Sequence, residues 1–168
     1  MIYIASTRFN TETLGENYAY RAKKELSGCI YGSCMLINEK YPVNSSLFVV
    51  EMNNSLDQIE GIGLIKNRLR TDKYYKIYTD GNFNRYTYSG NFWLSREQIS
   101  QYDPELITIF DKILFKGKSH LKRVSGISIV TDKLFTRWEY NSGMITRQVN
   151  QMFIDLCKGK GIEKELDY

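Results

Sequence analysis

The stretch from Leu47 to Arg70, LFVVEMNNSLDQIEGIGLIKNRLR, predicts the centre of the fold. It holds two apolar runs, Leu47 to Met52 and Ile59 to Ile65, separated by polar residues that favour a turn. Runs of this length and composition are typical of buried β-strands. The second run contains Gly61 and Gly63, and glycine inside a strand indicates a bulge or a group that approaches the backbone closely. We therefore expect a central hairpin with a close contact against its second strand.

The rest of the chain alternates short strands with helices. The other strand-like runs are Met1 to Ser6, Cys29 to Ile37, Tyr74 to Tyr78, Arg85 to Tyr88, Phe92 to Leu94 and Gly126 to Val130. Helices are predicted after Thr11, Ser95, Asp103 and Asp132, and an amphipathic final helix is predicted from Ile145 to Leu156. Several short strands with tight turns and flanking helices favour an α+β fold with a small barrel or a strongly twisted sheet.

Length and composition limit the class of protein. A chain of 168 residues with 42% hydrophobic content predicts a single domain over 1–168, with a charged, frayed tail over 158–168. The net charge of +4 permits a nucleic-acid partner without requiring one. The start MIYIASTR lacks the pattern of a signal peptide, and no apolar window approaches the length of a membrane-spanning helix. We therefore expect an intracellular, cytoplasmic protein with no membrane partner.

Cysteine and histidine are too few to favour a metal site. The chain has three cysteines, Cys29, Cys34 and Cys157, and its single histidine is His120. An odd number of cysteines in an intracellular chain predicts free thiols. A structural zinc site would need the histidine as its fourth ligand, and the spacing of the first two cysteines is loose for such a site. We predict no metal and no cofactor.

The densest basic cluster, from Lys116 to Arg123, is a candidate for phosphate contacts, and we name it the basic segment. Its candidate binding residues are Lys116, Lys118, His120, Lys122 and Arg123. Cations on a loop suit phosphate groups, and a glycine within the loop allows close approach of the backbone. The alternative is a solvated connecting loop.

A second cluster, from Tyr78 to Trp93, interleaves aromatic residues with amides and arginine. Aromatic rings stack on bases, while amides and arginine can bond to base edges or to phosphate. The candidate binding residues here are Asn84, Arg85, Tyr86, Tyr88 and Trp93. The alternative is that most of these rings belong to the core.

Small polar residues follow two of the predicted strands. They are Ser6, Thr7, Arg8 and Asn10 at the end of the first strand, and Asn53 and Asn54 after the first strand of the hairpin. Residues of these types are also the ordinary residues of turns, so the pattern alone does not decide between a turn and a binding site.

Two segments resemble the PUA-like superfamily, which includes the EVE, ASCH and YTH domains. Gly61 to Ile65, GIGLI, is similar to the second strand of the central hairpin in that superfamily. His120 to Val130, with HLKR followed by GISIV, is similar to a late segment of EVE domains. The resemblance implies a small twisted β-barrel with flanking helices, and a strand-end pocket for a modified base that includes Ser6, Asn53 and Asn54. More loosely, the abundance of Lys, Asn, Ile and Tyr resembles small proteins of large DNA viruses.

Signatures of catalysis are missing, since the chain has no nucleophile elbow, no Walker A loop and no zinc-binding helix motif. The resemblance to ASCH domains implies one exception, a Thr-Lys-Glu group that Thr7 and Lys66 could supply together with Glu51 or Glu60. We predict a non-catalytic module that binds RNA or single-stranded DNA and reads a modified base. A small ASCH-like amidohydrolase acting on a modified nucleoside and a viral protein-interaction domain are the alternatives, and the sequence leaves the oligomeric state open.

Overall fold

The computed structural model describes residues 1–166 of the chain. Its strands are β1 (Ile2–Phe9), β2 (Cys29–Ser33), β3 (Ser46–Asn53), β4 (Gln58–Lys66), β5 (Tyr86–Gly90), β6 (Phe92–Ser95) and β7 (Ser128–Ile129). Its helices are α1 (Thr11–Lys23), α2 (Arg96–Tyr102), α3 (Pro104–Phe115), α4 (Asp132–Arg137) and α5 (Ser142–Leu156), with short 3₁₀ turns at Gly81–Asn84 and Ile162–Lys164. None of these helices carries an apolar stretch long enough to cross a membrane.

Five strands form one mixed sheet in the order β6-β4-β3-β1-β7, and β2 pairs with β5 in a small antiparallel sheet. In the larger sheet β1 and β3 are parallel, while the other neighbours are antiparallel. The chain passes directly from β5 into β6, so the small sheet continues from the edge of the large one. The predicted α+β class with helices around a sheet is confirmed.

The predicted central hairpin is confirmed as β3 and β4, which pair Leu47 with Ile65. All eight residues of β3 are buried, because both faces of the sheet are covered. Helices α2 to α5 cover one face, where the rings of Phe48 and Phe153 lie 5.0 Å apart between centroids. Helix α1 and the small sheet cover the other face. The continuous apolar run in the sequence therefore reflects burial on two sides.

Both glycines of β4 make room for side chains from the covering layer. A Cβ at Gly61 would stand 2.7 Å from Nε1 of Trp93, and a Cβ at Gly63 would overlap the hydroxyl of Tyr31. The expected close contact against this strand is therefore confirmed, and the approaching groups are the protein's own side chains.

Two other predictions differ from the structure. Tyr74 to Tyr78 is not a strand but part of an irregular segment, where the N–H groups of Ile77 and Tyr78 donate to Oδ1 of Asn84 at 3.1 and 2.9 Å. One buried amide side chain thus replaces the neighbouring strand. The tail is not frayed over 158–166, because Ile162 and Leu166 pack into the core beside α5. Positions 167–168 of the predicted tail lie outside the described residues.

Candidate functional site

A pocket of about 200 Å³ opens at the edge of the large sheet where β1 and β3 end. The two strands are parallel, so their carboxyl ends lie side by side. The pocket is lined by these strand ends, the start of α1, the end of β2, the segment before β5 and the segment before β7. A cavity of about 150 Å³ already holds benzene, so this strand-end pocket has room for one ring-sized group.

The strand-end pocket exists because β1 and β7 separate. Their antiparallel pairing runs no further than Ser6 opposite Ser128. Gly126 has a φ of +73°, which lies in the left-handed region that favours glycine. A Cβ on Gly126 would also stand 2.9 Å from the Ser33 hydroxyl. The chain therefore turns away from β1 at Gly126 and lies against β2, which leaves a gap beside β1.

One wall of the pocket is aromatic. Tyr78 and Phe83 pack edge to face, with ring centroids 6.3 Å apart, and Phe83 is 40% exposed. Gly32 lies against this wall, because a Cβ there would overlap the Phe83 carbonyl oxygen. The Tyr78 hydroxyl accepts from Nδ2 of Asn17 at 2.9 Å, and burial raises the pKa of Tyr78 to about 12. This wall is therefore neutral and held in place before any ligand binds.

The remaining walls of the pocket include polar groups. Thr7 is 7% exposed and lines the pocket, and its hydroxyl makes no hydrogen bond within residues 1–166. Nη1 of Arg8 and Nδ2 of Asn54 both donate to the carbonyl oxygen of Lys122, at 3.2 and 2.8 Å. The two strand ends therefore hold one end of the basic segment beside the pocket.

The basic segment reaches the pocket at its Lys122 end. Its exposed cations are Lys116, Lys118 and Arg123. Nδ1 of His120 accepts from the backbone N–H of Lys122 at 3.2 Å, so this imidazole orders the loop. Nζ of Lys122 lies 2.6 Å from the carboxylate of Asp57. Among the residues that line the pocket, Arg8 contributes an exposed guanidinium.

The strand-end residues predicted from the sequence fall into two groups. Four of them line the pocket, namely Thr7, Arg8, Asn10 and Asn54. Ser6 is buried in the ladder between β1 and β7. Asn53 closes the turn after β3, where its Oδ1 accepts from the N–H of Ser55 at 3.0 Å. Both of these residues support the position of the strand ends and do not line the pocket.

The candidates from the aromatic cluster do not line the pocket. They are Asn84, Arg85, Tyr86, Tyr88 and Trp93. Asn84 and Tyr88 are buried, and the Tyr88 hydroxyl accepts from the N–H of Ile37 at 3.1 Å. Arg85 is exposed, and its guanidinium lies 5.6 Å from the centroid of the Tyr86 ring. These residues therefore do not contribute to the lining of the pocket.

The pocket residues that the candidates from the sequence did not include are, among others, Phe83, Ser125 and Gly126. Phe83 lies within the aromatic cluster, but its place in the wall depends on the irregular path of residues 67–85. Gly126 was predicted to begin a strand, whereas the strand begins at Ser128. A glycine directly before a short β-branched run was the only signal that the chain changes direction there.

A second polar site, which we name the Glu51 cluster, lies between the sheet and α1. The carboxylate of Glu51 is fully buried and accepts hydrogen bonds from Tyr18, Arg21, Tyr31 and Trp93, at 2.7, 2.7, 2.6 and 3.0 Å. The guanidinium of Arg21 lies 5.0 to 5.4 Å from the centroids of the same three rings. Burial and the neighbouring carboxylate raise the pKa of Tyr31, so its hydroxyl stays a donor. The carboxylate is therefore saturated by groups of the protein.

The Thr-Lys-Glu group considered for catalysis is not assembled. Thr7 and Glu51 are neighbours across β1 and β3. On the other side of β3, Glu51 pairs with Gly61. Lys66 pairs with Ser46, five residues further along β4, which corresponds to about 16 Å of extended strand. The lysine therefore stands at the opposite end of the ladder from the carboxylate.

The cysteines do not gather at one place. Cys29 and Cys157 are buried on opposite faces of the sheet, and Cys34 is half-buried at the pocket. Burial raises the pKa of the Cys29 thiol to about 12, which keeps it protonated near neutral pH. Within residues 1–166, no three His, Cys, Asp or Glu side chains are arranged to hold a metal ion.

Comparisons with known proteins return no relative, because the chain matches no family model, no curated protein and no solved structure. The geometry of the strand-end pocket and of the basic segment is therefore the basis for a functional proposal.

Proposed function

We propose that this protein binds RNA or single-stranded DNA without catalysing a reaction, and that the strand-end pocket receives one base. The observation that carries the proposal is an open pocket with an aromatic wall beside an exposed basic segment. Stacking of a base on an aromatic side chain contributes about 1–3 kcal/mol, and it requires an unpaired base. The size of the pocket suits a single base with its sugar outside.

The charge distribution supports a nucleic acid over a free base. Arg8 lines the pocket, and the basic segment with its cations is joined to Arg8 and Asn54 through the carbonyl oxygen of Lys122. A strand with one base in the pocket would bring its neighbouring phosphates toward these cations. Phosphate contacts of this kind dominate affinity and do not depend on sequence.

The proposal extends to the fold, for which we infer a PUA-like barrel. A Cβ at Gly90, the last residue of β5, would overlap the carbonyl oxygen of Leu64 on β4, so the small sheet bends sharply over the large one. Helix α1 and the Glu51 cluster fill the space between the two sheets. This bend supports a small twisted barrel, and the resemblance to EVE and YTH domains adds a modified base as the expected ligand.

The absence of catalysis is proposed on chemical grounds. The buried carboxylate of Glu51 is occupied by four donors, and the thiol of Cys29 is protonated. In the Thr-Lys-Glu group, Lys66 would have to act on Thr7, but Lys66 lies at the far end of the ladder. A nucleophile without a positioned base has little activity.

The proposal is tested by fluorescence anisotropy with labelled RNA and DNA decamers of mixed sequence, with and without a methylated base. We expect Phe83→Ala to weaken binding about tenfold while the melting temperature stays within a few degrees of the parent, because the ring is partly exposed. The matched control is Tyr74→Ala, which removes a ring that is 65% exposed on the same irregular segment and does not line the pocket.

The basic segment is tested in the same assay with a triple variant, Lys116→Ala, Lys118→Ala and Arg123→Ala. Affinity should fall, and the dependence of log Kd on log salt should decrease by about 0.7 for each phosphate that the variant no longer neutralises. The control removes the same charges elsewhere on the surface, by Arg147→Ala, Lys158→Ala and Lys160→Ala, and should change little. Failure of every decamer to bind, or equal binding by Phe83→Ala and the parent, would overturn the proposal.

A further inference from the structure

The edge of β1 at Arg8 carries backbone groups that face the pocket. Along β1, carbonyl groups point alternately to the two neighbouring strands. The carbonyl of Phe9 accepts from the N–H of Asn54 after β3, while that of Ile4 accepts from the N–H of Val130 after β7. Arg8 is an even number of residues from Ile4 along β1, so its backbone points in the same direction. Its N–H and C=O therefore both face the β7 side.

On that side the ladder stops before it reaches Arg8. The last pair is Ser6 with Ser128, and in an antiparallel ladder the residue opposite Arg8 would be Gly126. Gly126 has turned away, and both residues line the pocket. Among the described residues, neither backbone group of Arg8 takes part in the ladder with β7 or in a bond to another backbone group outside the strands. One donor and one acceptor therefore lie side by side at the pocket without partners.

We propose that the pocket reads a pyrimidine by its Watson–Crick edge, with the N–H and C=O of Arg8 forming the pair of hydrogen bonds that β7 does not supply. The inference rests on the proposed function and adds to it the class of base and the groups that recognise it. Uracil and cytosine both present a donor next to an acceptor along this edge. The Thr7 hydroxyl is a third group at the pocket that can donate to the remaining carbonyl oxygen of the base.

Size favours a pyrimidine, since adenine also presents a donor next to an acceptor on its Watson–Crick edge. The pocket of about 200 Å³ suits a six-membered ring with substituents better than a purine. An unpaired strand edge binds any planar group that offers a complementary donor and acceptor, as a neighbouring strand does. Recognition through the backbone also means that the side chain at position 8 contributes charge and does not select the base.

The ligand-side test compares four decamers with the native protein: oligouridine, oligoadenosine, oligomers of N3-methyluridine and oligomers of 5-methyluridine. The N3-methyl group blocks the Watson–Crick edge, whereas the C5-methyl group lies on another side of the ring. We expect oligouridine to bind about tenfold more tightly than the N3-methyl form and the adenosine form, and 5-methyluridine to bind within about threefold of oligouridine. Equal binding of the N3-methyl form would overturn the inference and leave the proposed function standing.

The protein-side test uses two substitutions at one position. Arg8→Pro removes the N–H group that faces the pocket, and proline is tolerated in a strand where its N–H side makes no ladder bond. Arg8→Ala removes the guanidinium and keeps the N–H. We expect the alanine variant to weaken all decamers alike and to keep the ratio between oligouridine and its N3-methyl form.

The proline variant should reduce that ratio to near one, and an unchanged ratio would overturn the inference. If Arg8→Pro melts well below the parent, the decamer comparison with the native protein decides by itself. Binding of none of the four decamers would overturn the proposed function as well.

Discussion

The Glu51 cluster and the strand-end pocket are two polar sites on the same pair of strands, and they are built in opposite ways. In the Glu51 cluster four donors converge on one buried carboxylate, and the glycines of β4 leave space for the rings. At the pocket the Thr7 hydroxyl and the edge of Arg8 are left without partners among the described residues. A saturated buried site stabilises one arrangement of the fold, whereas unpaired groups at an opening are available to a ligand.

The comparison predicts the largest loss of stability for Glu51→Leu. The substitution leaves the guanidinium of Arg21 buried without its carboxylate, which costs about 3–5 kcal/mol. At about 2–4 °C per kcal/mol for a chain of this size, the melting temperature should fall by roughly 6–20 °C. Calorimetry or thermal circular dichroism measures this change. Oligonucleotide affinity, measured well below the new melting temperature, should remain within about threefold of the parent.

The double variant Glu51→Leu with Arg21→Met is the control for this prediction. Removing the unpaired guanidinium should recover part of the loss, while the donors of Tyr18, Tyr31 and Trp93 still lack the Glu51 carboxylate. Should Glu51→Leu melt like the parent while binding is abolished, the cluster would belong to the binding site and the contrast between the two sites would fail.

Two glycine-to-alanine substitutions, Gly63→Ala and Gly32→Ala, add one methyl group to each site and should have a smaller effect. At Gly63 the new Cβ would overlap the Tyr31 hydroxyl, and overpacking of this kind costs about 1–3 kcal/mol. At Gly32 it would overlap the Phe83 carbonyl oxygen and displace the aromatic wall. We expect Gly63→Ala to lower stability with little change in affinity, and Gly32→Ala to weaken oligonucleotide binding about tenfold or more.

Thermal melts and anisotropy on the same two preparations check this pair. The contrast between the two sites requires that Gly32→Ala lose far more affinity than Gly63→Ala. The difference in affinity must also be larger than the difference between the two variants in the free energy of unfolding would explain. Equal losses of affinity in both variants would mean that a change in packing at Gly63 also alters the strand-end pocket. The two sites would then be structurally coupled.

Local patterns in the sequence predicted much of the fold but only part of the site. The central hairpin was readable because both faces of β3 are covered, which makes the run continuous. Thr7, Arg8 and Asn54 were readable because polar residues follow strands that end at one edge. Where β7 leaves β1 depends on the conformation of Gly126, and only the pairing of distant segments shows it.

The aromatic cluster shows why the rest could not be predicted. The amino-acid composition around an aromatic residue is the same on a short strand and in an irregular segment. Yet Tyr88 is buried, while Phe83 lies at the pocket. The conformation of residues 67–85 is held by side-chain hydrogen bonds. For example, the side chain of Asn84 bonds to both the N–H and the C=O of Tyr78, as a neighbouring strand would. Such bonds have no periodicity, so a search for alternating patterns predicts a strand there.

The smallest expected effect concerns Asp57, whose carboxylate pairs with Lys122 at the edge of the pocket. Its φ of +53° lies in the left-handed region, which asparagine adopts readily, so Asp57→Asn preserves the turn. The pair is partly exposed, and its loss should change the free energy of unfolding by no more than about 1 kcal/mol. The substitution removes a negative charge and releases Lys122 toward phosphate, so affinity at low salt should rise severalfold.

The salt dependence distinguishes a new phosphate contact from a general change in charge. If Lys122 gains a phosphate, the slope of log Kd against log salt should increase by about 0.7. The matched control is Asp72→Asn, which breaks the exposed pair with Arg70 and removes the same charge away from the pocket. Since both variants add one unit of net charge, an equal gain in affinity and slope would show that position does not matter. A gain confined to Asp57→Asn would place the phosphate path beside Lys122, where the basic segment meets the pocket.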